Sequence, residues 1–285
     1  MEKKLIITAD DYGMCIPVDQ AIDDCINAGL LTSTNVIVNM DDFEAAKTIR
    51  KRFPQISIGL HWNVTAGKPV SDVSKVRSLV DPNTGSFWKL PQFLKLFHNG
   101  NIVKKELREE LIAQYDRFCQ FCGKPDYWNT HQNSSVDFKT NKFFNSLALE
   151  LGINKTRSQR RVYASQKYPE GSLLVKIKEV IKKCVLDIWF GYQIPKSGTK
   201  MPQGRVLYFN LKDKTKDIKN VGENICWGGK NIIEMVIHPA NKDQHPYFGT
   251  ITTERVDEWK MFTDSKTKDY FNRIGVKLVT FEALD

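Results

Sequence analysis

Two adjacent carboxylates, Asp10 and Asp11, end the apolar stretch Leu5 to Thr8 and are followed by Tyr12 and Gly13. Three of the chain's five histidines end apolar stretches in the same way: His61 after Ile56 to Leu60, His131 after Pro125 to Asn129, and His238 after Ile232 to Ile237. Arg157 follows a further short one, Ile153 to Thr156, whereas His98 and His245 lie in loop-like sequence. In a parallel sheet the carboxyl ends of the strands face the site-forming loops. Asp11, His61 and His131 make a set of one carboxylate and two imidazoles, which suits a catalytic divalent cation with open positions. Such a cation acidifies a water and polarises a carbonyl oxygen. Asp10 is then placed to take a proton and His238 to give one to a leaving group, which describes amide or ester hydrolysis. Each residue alone has a simpler reading. One Asp could cap the helix that begins near Ile16, and a lone His is more often a hydrogen-bonded structural residue. The five together favour a site.

These residues need elements to carry them, and the sequence alternates strand and helix patterns. Val18 to Leu30 has helical spacing and stops at Gly29, and Thr32 to Val38 alternates as a strand. Asp41-Asp42 is placed to cap a helix running to Arg52, and Ile56 to Leu60 is a third strand. The polar region Thr65 to Gly100 is too long for a connector and reads as an inserted loop or lid. Asn101 to Cys122 is a periodic helix, Pro125 to Asn129 a strand, and Phe138 to Leu151 a helix closed by Gly152. Ile153 to Thr156 reads as a short strand and Ser172 to Leu186 as a helix. Asp187 to Trp227 is irregular, with one strand at Val206 to Phe209. The strand Ile232 to Ile237, a helix over Thr252 to Arg273 and a last strand at Val276 to Thr280 complete the chain. Such alternation predicts an α/β fold with a mostly parallel sheet, and 285 residues fit a single (β/α) barrel spanning 1–285.

Composition excludes some classes. An apolar fraction of 41% and a charged fraction of 26% are ordinary for a soluble globular protein. No apolar run approaches a membrane span, and the stretch after the N-terminal lysines is too short for a signal peptide, so a cytoplasmic location and no membrane partner are expected. The net charge of +9 comes from scattered lysines, and only Arg157 to Tyr168 interleaves basic and aromatic residues. Solvated surface charge, not nucleic-acid binding, is the reading. Six unpaired-looking cysteines suit a reducing compartment. Cys119 and Cys122 have metal-ligand spacing but lack the second pair a zinc ribbon needs.

Four segments carry a family resemblance: Ala9-Asp10-Asp11-Tyr12-Gly13, the run Gly59 to Val70 (GLHWNVTAGKPV), Asn129-Thr130-His131-Gln132, and Glu234 to Ala240 (EMVIHPA). In order and spacing they resemble the motifs of the YdjC-like carbohydrate deacetylases, the long second segment being the most specific. The resemblance implies a distorted (β/α) barrel related to the polysaccharide deacetylases. It also implies removal of acetyl groups from N-acetylated sugars or short oligosaccharides. By the same similarity Asp11, His61 and His131 hold a divalent metal, usually magnesium, with Asp10 the base and His238 the acid. Arg157 falls where relatives carry an arginine that orients the base or the sugar. A homodimer is implied as well, although no patch in the sequence marks it. Two imidazoles fit zinc or another transition metal better than magnesium, which prefers oxygen ligands. Family members often continue the third motif with further histidines. This chain has Asn133 and Ser135 there, which can hydrogen-bond a sugar but ligate transition metals poorly. A non-catalytic or altered-specificity carbohydrate binder is therefore the alternative. Trp62, Asn63, Trp88 and Asn133 are the expected substrate contacts, the indoles by stacking on pyranose rings.

Overall fold

The computed structural model describes residues 2–162, 172–207, 218–223, 225 and 227–285. The ends of two expected features, Tyr168 and Phe209, and the sixth cysteine, Cys226, lie outside them. Among the described residues, seven strands make one sheet: β1 (Lys3–Tyr12), β2 (Ser33–Val36), β3 (Ser57–Trp62), β4 (Trp128–Thr130), β5 (Arg205–Leu207), β6 (Ile232–Ile237) and β7 (Val276–Leu278). Their order is β4-β3-β2-β1-β6-β5, with β7 also on β1, and every ladder is parallel. Single parallel bridges Trp128–Thr156, Lys155–Lys200 and Arg161–Arg205 carry the wall from β4 round to β5. The sheet is thus a distorted barrel whose closing wall is irregular. The expected strand Ile153 to Thr156 is only these isolated bridges.

The strands are apolar on both faces because helices and the barrel interior cover both. β1 shows the consequence: from Leu5 to Tyr12 every residue is buried. Its first three residues pair with β7, while Thr8, Ala9 and Tyr12 pair with β2. Behind β3 and β4, Trp62, Trp128 and Phe144 pack together, with ring centroids 5.5 to 6.4 Å apart. Gly59 on β3 has to be glycine, since a Cβ there would lie 2.4 Å from the Tyr127 ring. That ring cannot retreat: it stacks on Phe281 at 3.8 Å and its hydroxyl oxygen accepts from Ser33 Oγ at 2.7 Å.

Several boundaries differ from the sequence expectation. The helix expected from Asn101 begins at Lys104. The stretch leading to Arg52 is a 3-10 turn, Phe43–Thr48, followed by the short helix Ile49–Arg52, and Asp42 makes no side-chain cap. The helix expected over Thr252 to Arg273 is two, Thr253–Thr263 and Ser265–Arg273, because Asp264 leaves helical geometry and caps the second by accepting from the Lys266 N–H. The inserted region contains a helix, Leu90–His98. It is pinned to the helix Lys104–Cys122, whose buried Glu110 accepts the N–H groups of Val70 and Ser71 at 2.9 Å each. No helix among the described residues is long and apolar enough to cross a membrane. None of the five described cysteines forms a disulfide.

Candidate active site

The strand ends converge on one cavity of about 150 Å³, lined among others by Asp10, Asp11, His61, His131, Arg157 and His238. Two consecutive strand residues normally point to opposite faces. Here the β1–β2 register shifts between Ala9 and Tyr12, and Asp11 has φ +79°. This bulge turns Asp11 back, so both carboxylates line the same cavity. Asn35 of β2 secures the bulge from below: its Oδ1 accepts the Asp11 N–H at 3.4 Å and its Nδ2 donates to Asp10 Oδ1 at 2.7 Å.

Asp11, His61 and His131 form a buried cluster whose candidate ligand atoms all lie within 4.8 Å of one another. Asp11 Oδ1 is 3.0 Å from His131 Nδ1 and 3.4 Å from His61 Nε2. The other His61 nitrogen, Nδ1, is hydrogen-bonded to Asn129 Oδ1, which leaves Nε2 for a ligand. An outer partner of that kind is what fixes the tautomer of a ligating histidine. Asp11 Oδ2 accepts from Arg255 Nη2 at 3.0 Å. Burial works to raise the Asp11 pKa, but His131, His61 and Arg255 prevail and hold it well below the usual carboxylate value. Buried imidazole and carboxylate donors, oriented from behind, fit a divalent cation.

Asp10 sits beside this cluster in a bidentate pair with Arg157, at 2.6 and 2.7 Å. Burial opposes ionisation of Asp10, yet Arg157 outweighs it and keeps the carboxyl below its ordinary range. Arg157 also donates through Nε to Glu234 Oε1 at 3.0 Å, so it is fixed on both sides. His238 Nε2 lies 3.5 Å from Asp10 Oδ2. Burial drives the His238 imidazole down to about 4, against the opposite pull of Asp10 and Asp11. The His238 N–H donates to the buried carboxyl of Glu258, and burial pushes that carboxyl up to about 8. Arg255 ties these parts together, donating also to the carbonyl oxygens of His238 at 3.4 Å and Ile251 at 3.3 Å, and lying 4.6 Å over the Phe248 ring.

The other sequence expectations fare differently. Trp62 does not face a substrate: it is 0% exposed, and its indole N–H donates to the Leu111 carbonyl at 2.9 Å, because the core behind β3 needs a large aromatic. Asn63 is equally buried. Its side chain folds the turn after β3, accepting the N–H groups of Thr65 and Ala66 at 3.1 Å each and donating to Asn39. Trp88 packs on the core, donates to the Ser78 carbonyl at 3.1 Å and is not among the residues lining the cavity. No residue of 65–100 lines the cavity either; the wall expected from that lid comes from Tyr247 to Ile251. Asn133 does line it, although its Oδ1 is occupied by Arg205 Nη1 at 2.8 Å and Gln159 Nε2 at 3.4 Å. Asn35, Arg255 and Glu258 were not singled out in the sequence, and Asn129 stood there only as part of the third motif, with no role. Glu234 had a signal, a carboxylate inside the apolar run of β6, but no partner in sequence to explain it.

Fold and site together define an α/β barrel protein with a candidate Asp-His-His cation centre at the carboxyl ends of its strands. The chain belongs to the YdjC-like protein family, which it matches over residues 4–273. Among curated relatives it is 28% identical over 281 residues to "Carbohydrate deacetylase 2" of Listeria innocua, covering 98% of this chain and 97% of that one. It is 25% identical over 290 residues to "Chitooligosaccharide deacetylase" of Proteus mirabilis, covering 100% of both. A zebrafish (Danio rerio) "Carbohydrate deacetylase" is 33% identical over 155 residues, which is 54% of this chain and 49% of that protein. Among solved structures, one from Enterococcus faecalis, described as a candidate cellobiose-phosphate cleavage protein, superposes with a TM-score of 0.74 at 23% identity. It covers 100% of this chain and 99% of the other, and establishes the shared fold.

Proposed function

We propose that residues 1–285 act as one metal-dependent hydrolase that removes acetyl groups from N-acetylated sugars or short oligosaccharides. One observation carries the reading: the Asp11–His61–His131 cluster shares a single cavity with Asp10 and His238, which face each other at 3.5 Å. The names of the full-length relatives point to the acetylated-sugar substrate. A divalent cation held by Asp11, His61 and His131 would polarise the acetyl carbonyl and acidify a water. Magnesium follows from the family resemblance, while two imidazole donors favour zinc or another transition metal.

The protein's own groups supply the proton chemistry. Asp10, ionised and held by Arg157, accepts a proton from the attacking water as its oxygen bonds to the acetyl carbon. His238 protonates the amine nitrogen as the C–N bond breaks, giving acetate and a free amino sugar. Because burial keeps His238 neutral, the proton it gives has to reach it first, and the 3.5 Å approach of Asp10 Oδ2 provides that path. Arg157 acts by fixing Asp10, so it is a positioning residue.

Acetate release from N-acetylated oligosaccharides by metal-loaded protein tests the reading. Turnover by wild type and its loss in Asp10→Asn, with metal retained, is the expected result. Saturable sugar binding without acetate would favour the non-catalytic carbohydrate binder, a reading motivated by Asn133 and Ser135 following His131.

A further inference from the structure

The turn after His131 is unusual in its backbone. Gln132 and Asn133 are consecutive residues with side chains in the left-handed region, at φ +53° and +54°. That conformation is costly for residues bearing a Cβ, least so for asparagine, and it persists only where the surroundings enforce it. The ends of the turn are tied locally. Ser135 N–H donates to Thr130 Oγ1 at 3.1 Å, Ser134 N–H to the His131 carbonyl at 3.2 Å, and Val136 N–H to the Asn133 carbonyl at 2.9 Å. The left-handed corner is held from across the barrel, where Arg205 of β5, 2% exposed, donates to Asn133 Oδ1 at 2.8 Å. A buried guanidinium is expensive to keep, and here it spends a short hydrogen bond on one neutral amide two residues from His131.

We propose that Asn133 and Arg205 form a brace that holds this turn left-handed and thereby positions the His131 ring. The part concerning His131 rests on its reading as a cation ligand. Asn133 is then a residue chosen for its backbone, and Arg205 a positioning residue acting through it. The brace also explains why asparagine serves at this place: it tolerates the conformation and offers the acceptor in one side chain.

The test uses metal-free full-length protein, titrated calorimetrically with Zn²⁺, with hydrogen exchange read on the peptide 130–136. Asn133→Ala keeps the Cβ and loses the acceptor; zinc affinity should fall about tenfold, and the Ser134 and Val136 amides should exchange faster. Asn133→Gly loses the same acceptor but removes the conformational penalty, so affinity should stay within about twofold of wild type. Arg205→Leu should weaken zinc several-fold on its own and add less than about twofold in the Asn133→Gly background. A merely structural arginine would cost the same in both backgrounds, and that result, or unchanged exchange in Arg205→Leu, overturns the brace. If wild type binds no divalent cation, the metal reading fails, while exchange in Arg205→Leu with and without Asn133→Gly still decides the brace.

Discussion

Glu258 offers a measurable link between the site's architecture and stability. It is fully buried on the helix Thr253–Thr263 and accepts the His238 N–H. Burial raises its pKa from about 4.5 to about 8, although the His238 N–H and Arg255 pull the other way. Between these values the unfolded chain has released the proton while the native protein keeps it, so stability falls as pH rises. The contribution is complete below about pH 4.5 and lost progressively up to about pH 8. At 1.36 kcal/mol per pH unit, the interval from 4.5 to 8 amounts to about 5 kcal/mol. Glu258→Gln keeps an acceptor for the His238 N–H and cannot ionise. At about 2 °C per kcal/mol for a protein of this size, the melting temperature of the variant relative to wild type should climb by roughly 10 °C between pH 4.5 and pH 8. Melting curves followed by circular dichroism at half-unit pH steps give the comparison directly, and groups common to both proteins cancel. A difference that stays flat across this window would show that Glu258 ionises in the folded protein, and the account of its burial would be wrong.

Further expectations concern the site and its supports. Asp11→Ala, His61→Ala and His131→Ala should each lower bound metal to under about a tenth of wild type by elemental analysis, since two donors rarely hold a divalent cation; full occupancy in any one removes that residue from the ligand set. Asp10→Asn should cut acetate release by about 10² to 10⁴. It should also destabilise the fold by about 3 kcal/mol, seen in urea unfolding, because Arg157 loses one of its buried partners. Trp62→Phe should lower stability by about 1–3 kcal/mol through the lost indole hydrogen bond to the Leu111 carbonyl and the smaller ring left in the core, while leaving the KM for an acetylated oligosaccharide unchanged; a raised KM would restore Trp62 as a sugar contact. Gly59→Ala should cost about 3 kcal/mol in a denaturant titration, as the new Cβ meets the trapped Tyr127 ring.

Much of the fold was legible because its signals are local. Apolar runs ending in Asp10, His61, His131 and His238 mark strands and their carboxyl ends without reference to the rest of the chain, and the structure puts all four on one cavity. Trp62 was misassigned because a tryptophan looks alike in sequence whether it faces a sugar or a core. The supporting residues escaped for a related reason: Asn35, Arg255 and Glu258 carry ordinary side chains in ordinary contexts, and only their partners give them a role. The break at Asp264 was missed because helical periodicity continues across it.

By itself, then, the order of residues determined a parallel α/β architecture and nominated the chemical groups, since strand propensity and side-chain identity are properties of short segments. Tertiary structure alone decided that Asp10 and Asp11 share a cavity, through a bulge in β1, that Arg157 and Arg255 hold them ionised there, and that Glu258 anchors the His238 backbone. Those outcomes depend on burial and on contacts between residues up to 244 positions apart, and local sequence carries no record of either.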